Sequence, residues 1–411
     1  MTKLNIGIIG AGLSGLFAAY ELQKQLNNNV TISVFEKERY LGGRVYSKLF
    51  SHCSLELGAQ FFIHEGEIYA LLKEFKMESE IISLQKKFIS FYYKNNIIPF
   101  EDLTVIDIFK STQGKHEKQL LFVYLQKIKF TPDLIIPDFD EWYRNHIGTI
   151  LLPFWNRMLQ SIGVRDSKSI NAYFGLTLMN VFFGHNYLLK TGLTSLIEKI
   201  ANNIIDSGGK IHTGAPCQKI QKHAKAFSIL YQKNKDTKEE FLCQNIISTV
   251  PPEEAATLFD ESELIRLKDI DYHPMKLYVI SSNRLWQGTW GLIIYDEKSP
   301  IYAVCDWRNV MDVSENTPIL VICSPRASAE DVTEELKRLF PMHKKDYAVL
   351  FEKKWKVGLH QCNQNLYKIP REIRGSLPHG FYLAGDWTIL PALEGAVLSG
   401  RKAAHLLIKN L

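Results

Sequence analysis

The chain has 411 residues, 46% of them hydrophobic and 23% charged, which excludes a disordered or highly solvated polypeptide and predicts two or three domains around a sizeable core. Lys+Arg 49 against Asp+Glu 44 leaves a formal net charge of +5, a mild excess that points to no nucleic-acid partner. The six cysteines (Cys53, Cys217, Cys243, Cys305, Cys323, Cys362) are scattered and form no CxxC, so neither a zinc site nor a disulfide framework is expected, and a reducing, cytoplasmic compartment fits.

Only Met1-Thr2-Lys3 precede the first apolar run, so no targeting segment is expected, and no apolar stretch reaches the roughly 18 residues of a membrane span. Leu4 to Ile9 reads as a short buried strand. It enters Gly10-Ala11-Gly12-Leu13-Ser14-Gly15, and Leu16 to Leu22 continues with helical apolar spacing. Asn27-Asn28-Asn29 breaks that helix, and Val30 to Phe35 is a second strand ending at Glu36. This is a βαβ unit with glycines where a dinucleotide needs them. Gly10 allows the tight turn, Gly12 lets the backbone approach the pyrophosphate, and Gly15 lets helix and strand pack closely. The helix N-terminus, opened by Leu13 and Ser14, offers N–H groups and partial positive charge to phosphates. Glu36 stands about 20 residues on, where an acid accepts from ribose hydroxyls.

Leu41-Gly42-Gly43-Arg44-Val45 follows closely. A nicotinamide enzyme has no need of a second Gly-Gly-Arg so near the acid, whereas a flavin enzyme can use it. The glycines let the chain pass near the cofactor, and Arg44 offers a planar fork to pyrophosphate or to a neighbouring carbonyl. Read alone, the same run also suits a solvated turn. Glu56-Leu57-Gly58-Ala59-Gln60-Phe61 comes next.

Between Phe62 and Lys190, a hairpin is predicted from Phe88–Tyr93 and Ile97–Phe100, turning at Lys94-Asn95-Asn96, with helices over Lys118–Lys129 and Asp140–His146. Lys86, Lys87 and Lys94 lie beside aromatics and could touch lipid, but a hairpin with solvated ends is the preferred reading. Thr194 to Ile205 reads as a helix ended by Gly208-Gly209. Strands follow at Lys210–His212, Cys217–Ile220 and Asn245–Val250, the last ending at Pro251-Pro252. Residues 253–362 alternate as strands around a helix at Val332–Phe340. Within them, Pro274 to Ile280 is a strand that carries Lys276 between apolar neighbours, and a buried lysine must be paired or neutral. Finally, Phe381 to Leu383 is a strand leading into Gly385-Asp386, and Leu393-Glu394-Gly395-Ala396 opens a helix towards Leu411.

These motifs together resemble the flavin-containing amine oxidase superfamily, which includes monoamine and polyamine oxidases, protoporphyrinogen oxidases and carotenoid-type desaturases. The resemblance implies an α/β, Rossmann-like, doubly wound FAD-binding domain built from residues 1–61, 191–252 and 363–411. It also implies an α+β substrate domain built from 62–190 and 253–362. By resemblance, Gly43, Arg44, Gly58, Ala59 and Gln60 line FAD, the last three beside the isoalloxazine ring, and Cys217 contacts adenine through its backbone. Gly385 and Asp386 meet the ribityl or diphosphate part. Leu393, Glu394 and Ala396 open a helix aimed at the flavin O2/N1 edge, where negative charge appears on reduction. Lys276, with Trp286 ten residues later, would hold a water at flavin N5 and assist reoxidation by O2; Trp355 would pack by the flavin. Cys362 follows His360-Gln361 without the Gly-Gly of covalent flavoenzymes, so noncovalent FAD is expected. Ala392 replaces the tyrosine of an amine cage, and Leu390 to Ala396 resembles the squalene-forming and desaturase branch. The favoured function is oxidation of a C–N bond of an amine or amino acid, with O2 reduced to H2O2. The alternatives are an isoprenoid-type desaturase or dehydroxylase acting on an apolar substrate, and an FAD-binding protein without turnover.

Overall fold

In the computed structural model, which describes residues 3–127, 134–234, 237–259, 262–341 and 347–411, Leu4–Ile9 is the central strand of a five-stranded parallel sheet. The order is Lys210–His212, Val30–Phe35, Leu4–Ile9, Asn245–Ser248, Phe381–Leu383, so three separate stretches of chain build one sheet. Its strands are short apolar runs covered on both faces, as parallel sheets require. Helices Leu13–Leu26, Thr194–Asp206 and Leu393–Lys409 cover one face. The antiparallel meander Cys217–Lys222, Phe227–Gln232, Lys238–Cys243 covers the other, with Ile229 and Cys243 packed over Gly7. The sheet is Rossmann-like, as expected, and a meander takes the place of further helices on its second face.

The first and last helices cross closely. A Cβ on Gly400 would overlap the Ser14 carbonyl oxygen, and the Ser14 and Ser399 hydroxyls are 2.8 Å apart. The two ends of the chain are therefore joined side by side at the strand ends where the glycine-rich turn lies.

A second, seven-stranded sheet runs in the order Ala348–His360, Tyr272–Ser281, Ile319–Cys323, Ile301–Cys305, Gly291–Ile294, Ile89–Tyr93, Asn96–Pro99. The expected hairpin is its edge. Lys94 and Asn95 take φ of 48° and 62°, a two-residue turn whose backbone twist suits a hairpin. Lys94 pairs with Asp107 at 2.8 Å in an exposed position, so this hairpin end is solvated; nothing is described of the Lys86 side chain. Helices Phe139–His146, Leu152–Ser161 and Ala172–Phe183 share one large core with the inner face of this sheet, and helix Ala329–Leu339 covers the outer face. The helix expected over 118–129 runs Thr112–Gln126, and residues 128 and 129 lie outside the described residues. Among the described residues no helix is long and apolar enough to cross a membrane, and all six cysteines are free thiols.

Glu56 joins the two-stranded ribbon Ser47–Phe50, Cys53–Glu56 to the start of helix Thr194–Asp206. Its carboxylate accepts from Leu193 N–H and from Ser47 Oγ, each at 2.7 Å. Burial pushes the carboxyl up to about 8. The folded protein thus holds this proton more tightly than the unfolded chain, where the group titrates near its ordinary ~4.3. The stabilisation is complete below that value and is lost as pH rises towards 8. Between pH 5 and 8 the wild-type Tm should fall by about 4 °C relative to Glu56→Gln, which has no proton to lose. Melting curves of the two proteins that move in parallel with pH would refute this.

Candidate cofactor site

The glycine-rich turn is held from three sides. Gly10 sits at φ +97°, a conformation open to glycine, and its N–H donates to Phe35 O at 2.8 Å. Gly15 lies so close to Gly10 that a Cβ would overlap its carbonyl oxygen. Gly12 is different: a Cβ there would find only Gly42 O, at 4.0 Å. Gly12 is the N-cap of helix Leu13–Leu26, and no side chain caps that helix. Its first N–H groups and the space over Gly12 form a cradle suited to a phosphate. The Gly-Gly-Arg loop closes the cradle, with Gly42 N–H donating to Ala11 O at 2.9 Å and Gly43 turning at φ +59° against Gly12.

Glu36 is buried and accepts from Ala11 N–H (2.8 Å) and Glu38 N–H (2.9 Å). Burial raises its carboxyl despite these bonds. Each oxygen keeps a lone pair for a ribose hydroxyl. Cys217 lies beside it, its thiol pushed up to about 12 by burial and by Glu36, which makes it inert as a nucleophile.

Arg44 and Asp386 connect the N-terminal loop to the C-terminal motif. Arg44 Nη2 is 2.6 Å from Asp386 Oδ1, and Nη1 donates to Gly358 O at 3.2 Å. Asp386 also accepts from Trp387 N–H at 3.0 Å. His360, fully buried, places Nδ1 3.6 Å from the same oxygen. Burial alone would raise the Asp386 carboxyl, but Arg44 and His360 outweigh it and hold it well below the usual carboxylate range. Gly385, at φ +123°, donates its N–H to Ser399 Oγ at 3.0 Å.

The Gly58-Ala59-Gln60 segment runs against Arg44, since Ala59 N–H donates to Arg44 O at 2.9 Å and a Cβ on Gly58 would overlap that oxygen. Trp355 stands over Gly58, its Nε1–H donating to Leu57 O at 2.7 Å, and Lys353 lies 4.0 Å above its ring. Gln60 Nε2 is buried without a partner. Helix Leu393–Lys409 begins at Ala392 with no side-chain cap, and Leu393 and Ala396 in its first turn are half-buried. Two uncapped helix N-termini, an open glycine cradle and an unpartnered amide together fit a dinucleotide with a polar ring.

Three expected side chains go elsewhere. Lys276 pairs across the sheet with Lys354, whereas Met275 pairs with Trp355. Side chains alternate along a strand, so Lys276 points to the outer face, away from Trp355. There its Nζ donates to Ala327 O and lies 5.2 Å from the Tyr278 ring, under helix Ala329–Leu339. Trp286 belongs to the same outer cluster, its Nε1–H donating to Thr289 O at 2.8 Å. Lys276, expected to hold a water at flavin N5, thus faces away from Trp355, the residue expected to pack by the flavin. Glu394, expected on the cofactor, turns its carboxylate to the N-terminus of helix Glu67–Glu74 and accepts from Glu67 and Ile68 N–H. Burial raises it to about 7. Ser14 likewise spends its hydroxyl on Ser399 rather than on open space.

The family model for flavin containing amine oxidoreductase matches residues 13–280. The chain belongs to this family. That membership implies a flavin cofactor. Zeta-carotene desaturase of Capsicum annuum is 26% identical over 252 residues, which are 53% of this chain and 42% of that protein. Coproporphyrinogen III oxidase of Mycobacterium bovis is 28% identical over 109 residues, 26% of this chain and 24% of that protein. The chain thus spans less than half the length of these curated relatives. In fold it superposes on a structure from Exiguobacterium sp. 255-15, assigned as a protoporphyrinogen oxidase, with a TM-score of 0.79 over 100% of both chains at 16% identity.

His360 and the rings beyond Gln60 escaped the sequence reading. Phe61 meets Phe88 at 4.9 Å and Trp290 at 6.3 Å, Phe88 stacks on Phe182 and Trp290, and Trp290 meets Trp307 edge-on at 5.5 Å. Their clustering was not visible because five separate stretches of sequence supply one ring each. The run His360-Gln361-Cys362, polar at the end of an alternating strand, was the available signal for the first.

Proposed function

We propose that this flavoenzyme dehydrogenates a largely apolar small molecule that carries no ammonium group, at carbon, using noncovalent FAD. In this reading residues 1–61, 191–252 and 363–411 hold FAD, and residues 62–190 and 253–362 hold the substrate. When bound, FAD would supply the redox chemistry, as the two-electron acceptor for dehydrogenation at carbon. The residues around Gly12 and Leu13 take the diphosphate, and Glu36 takes the ribose. Asp386, fixed by Arg44, accepts from the ribityl hydroxyls. Leu393 and Ala396 present helix N–H groups to the ring edge that gains negative charge.

The observation that supports the substrate class is the buried aromatic cluster of Phe61, Phe88, Phe182, Trp290 and Trp307 that adjoins Gln60 in sequence, which makes the protein apolar on that side. Asp306, the carboxylate next to Trp307 in sequence, is fully occupied by Arg308 in a pair with no exposure, so it is not free to receive an ammonium group. Lys276, whose expected place argued for an amine oxidase, lies on the other face. Cys362, buried against Asn171 and with its thiol pushed up to about 12, supports noncovalent attachment.

The purified protein should be yellow and release FAD on denaturation. Anaerobic mixing with a panel of isoprenoids, porphyrinogens and amines should bleach the flavin with a member of the first two groups. Bleaching by amines alone, with peroxide formed on readmitting air, would overturn the apolar reading in favour of amine oxidation.

A further inference from the structure

Glu394 has a role in the structure that a cofactor ligand would not need. Helix Glu67–Glu74 follows the Gly58-Ala59-Gln60 segment after the short strand Phe62–Ile63 and a turn. Glu394, the second residue of helix Leu393–Lys409, accepts from the first two N–H groups of that shorter helix, the bond from Ile68 N being 3.3 Å. Arg401, two turns on, pairs with Glu67 at 2.8 Å. At the far end, Tyr20 Oη donates to Glu74 at 2.7 Å and Lys24 pairs with the same carboxylate, which ties the short helix to helix Leu13–Leu26 as well. Gly66 leaves room for this carboxylate: a Cβ there would lie 2.7 Å from Glu394 Cδ and closer still to Oε1, so the Glu394 side chain would have to move, although the φ of −82° would suit alanine.

We propose that Glu394 is a positioning residue, which clamps helix Glu67–Glu74 to the C-terminal helix and so holds the Gly58–Gln60 and Leu393–Ala396 segments in register for FAD. The inference rests on the FAD assignment above. The clamp has two halves, the carboxylate and the space left at Gly66, and breaking either should have the same consequence. Only the hydrogen-bond acceptor matters, so glutamine should substitute for glutamate.

The test is FAD titration of the apoprotein, followed by flavin fluorescence. Glu394→Ala and Gly66→Ala should each weaken FAD binding about tenfold, the scale of a lost helix cap. The double variant should be no weaker than either single one, because the second change finds the clamp already open. Glu394→Gln should bind within about threefold of wild type. Amide exchange at Glu67 and Ile68 should quicken in both alanine variants and stay slow in Glu394→Gln. Wild-type affinity in Gly66→Ala, or losses that multiply to about a hundredfold in the double variant, would overturn the clamp. So would losses of affinity that merely follow a fall in apoprotein Tm. Wild-type protein that takes up no FAD would instead overturn the cofactor assignment, and this inference with it.

Discussion

Asp386→Ala should weaken FAD binding about a hundredfold while leaving the parallel sheet folded. The carboxylate is nearly buried, lies 2.6 Å from Arg44 Nη2 and faces the fully buried His360. Its removal leaves the Arg44 cation without its counter-charge and removes an acceptor from the place where the ribityl chain is expected. Loss of a charged acceptor for the ribityl hydroxyls costs up to about 3 kcal/mol, or roughly a hundredfold in Kd, whereas the broken ion pair itself lowers the stability of the apoprotein. Asp386→Asn, which keeps an acceptor but not the charge, should fall between the two. Because Arg44 and His360 hold the carboxyl well below its ordinary range, its contribution is present above the usual carboxylate range and is lost only as pH falls through the depressed folded value. Acid release of FAD should therefore require a pH well below 4. Titration of apoprotein with FAD, with circular dichroism to check folding, decides the matter. An Asp386→Ala protein that binds within threefold of wild type would remove Asp386 from the site.

What the sequence disclosed and what it concealed divide along a physical line. The glycine-rich turn was legible because its requirements are local: a strand, a turn at positive φ, a helix start and an acid at the next strand end lie within the first 36 residues. The pairing of the two chain ends was legible too, because Gly385-Asp386 and the helix after it repeat the same logic of strand, turn and uncapped helix. Lys276 was misplaced for a reason no local pattern can correct. Its strand is apolar on both faces, and which face meets the cofactor depends on where helix Ala329–Leu339 packs, some 50 residues later. The contacts of Glu394 were hidden because its partners, Gly66, Glu67 and Ile68, lie more than 300 residues away, and a carboxylate in a cofactor motif gives no sign that one of its oxygens caps a distant helix. The aromatic wall was hidden in the same way, since phenylalanines and tryptophans at isolated positions read as core until their rings are seen to meet.

Gly12→Ala and Gly15→Ala should separate cofactor binding from folding. The two glycines stand three residues apart in one turn, and the general pattern assigns them different tasks. At Gly15 a methyl group would overlap Gly10 O and sit 2.9 Å from Thr249 Oγ1, atoms fixed by the central strand and its neighbour. The helix would have to move off the sheet, a cost of about 3 kcal/mol or more, and both Tm and FAD binding should fall. At Gly12 a methyl group meets no protein atom nearer than 4.0 Å, and the backbone, at φ −68°, suits alanine. The apoprotein should therefore melt at or slightly above the wild-type temperature, because alanine gives up less chain entropy on folding. Only a ligand that comes close to the Gly12 backbone would detect the added methyl, so FAD affinity should drop at least tenfold with no loss of stability. If Gly12→Ala binds FAD as well as wild type, the pyrophosphate does not pass over this turn, and the open space at Gly12 needs another explanation. If instead Gly15→Ala folds normally and loses only FAD, the close approach of helix to strand is not what holds the turn. The contrast works because both substitutions add the same methyl group to the same loop, so any difference between them reports what occupies the space around each.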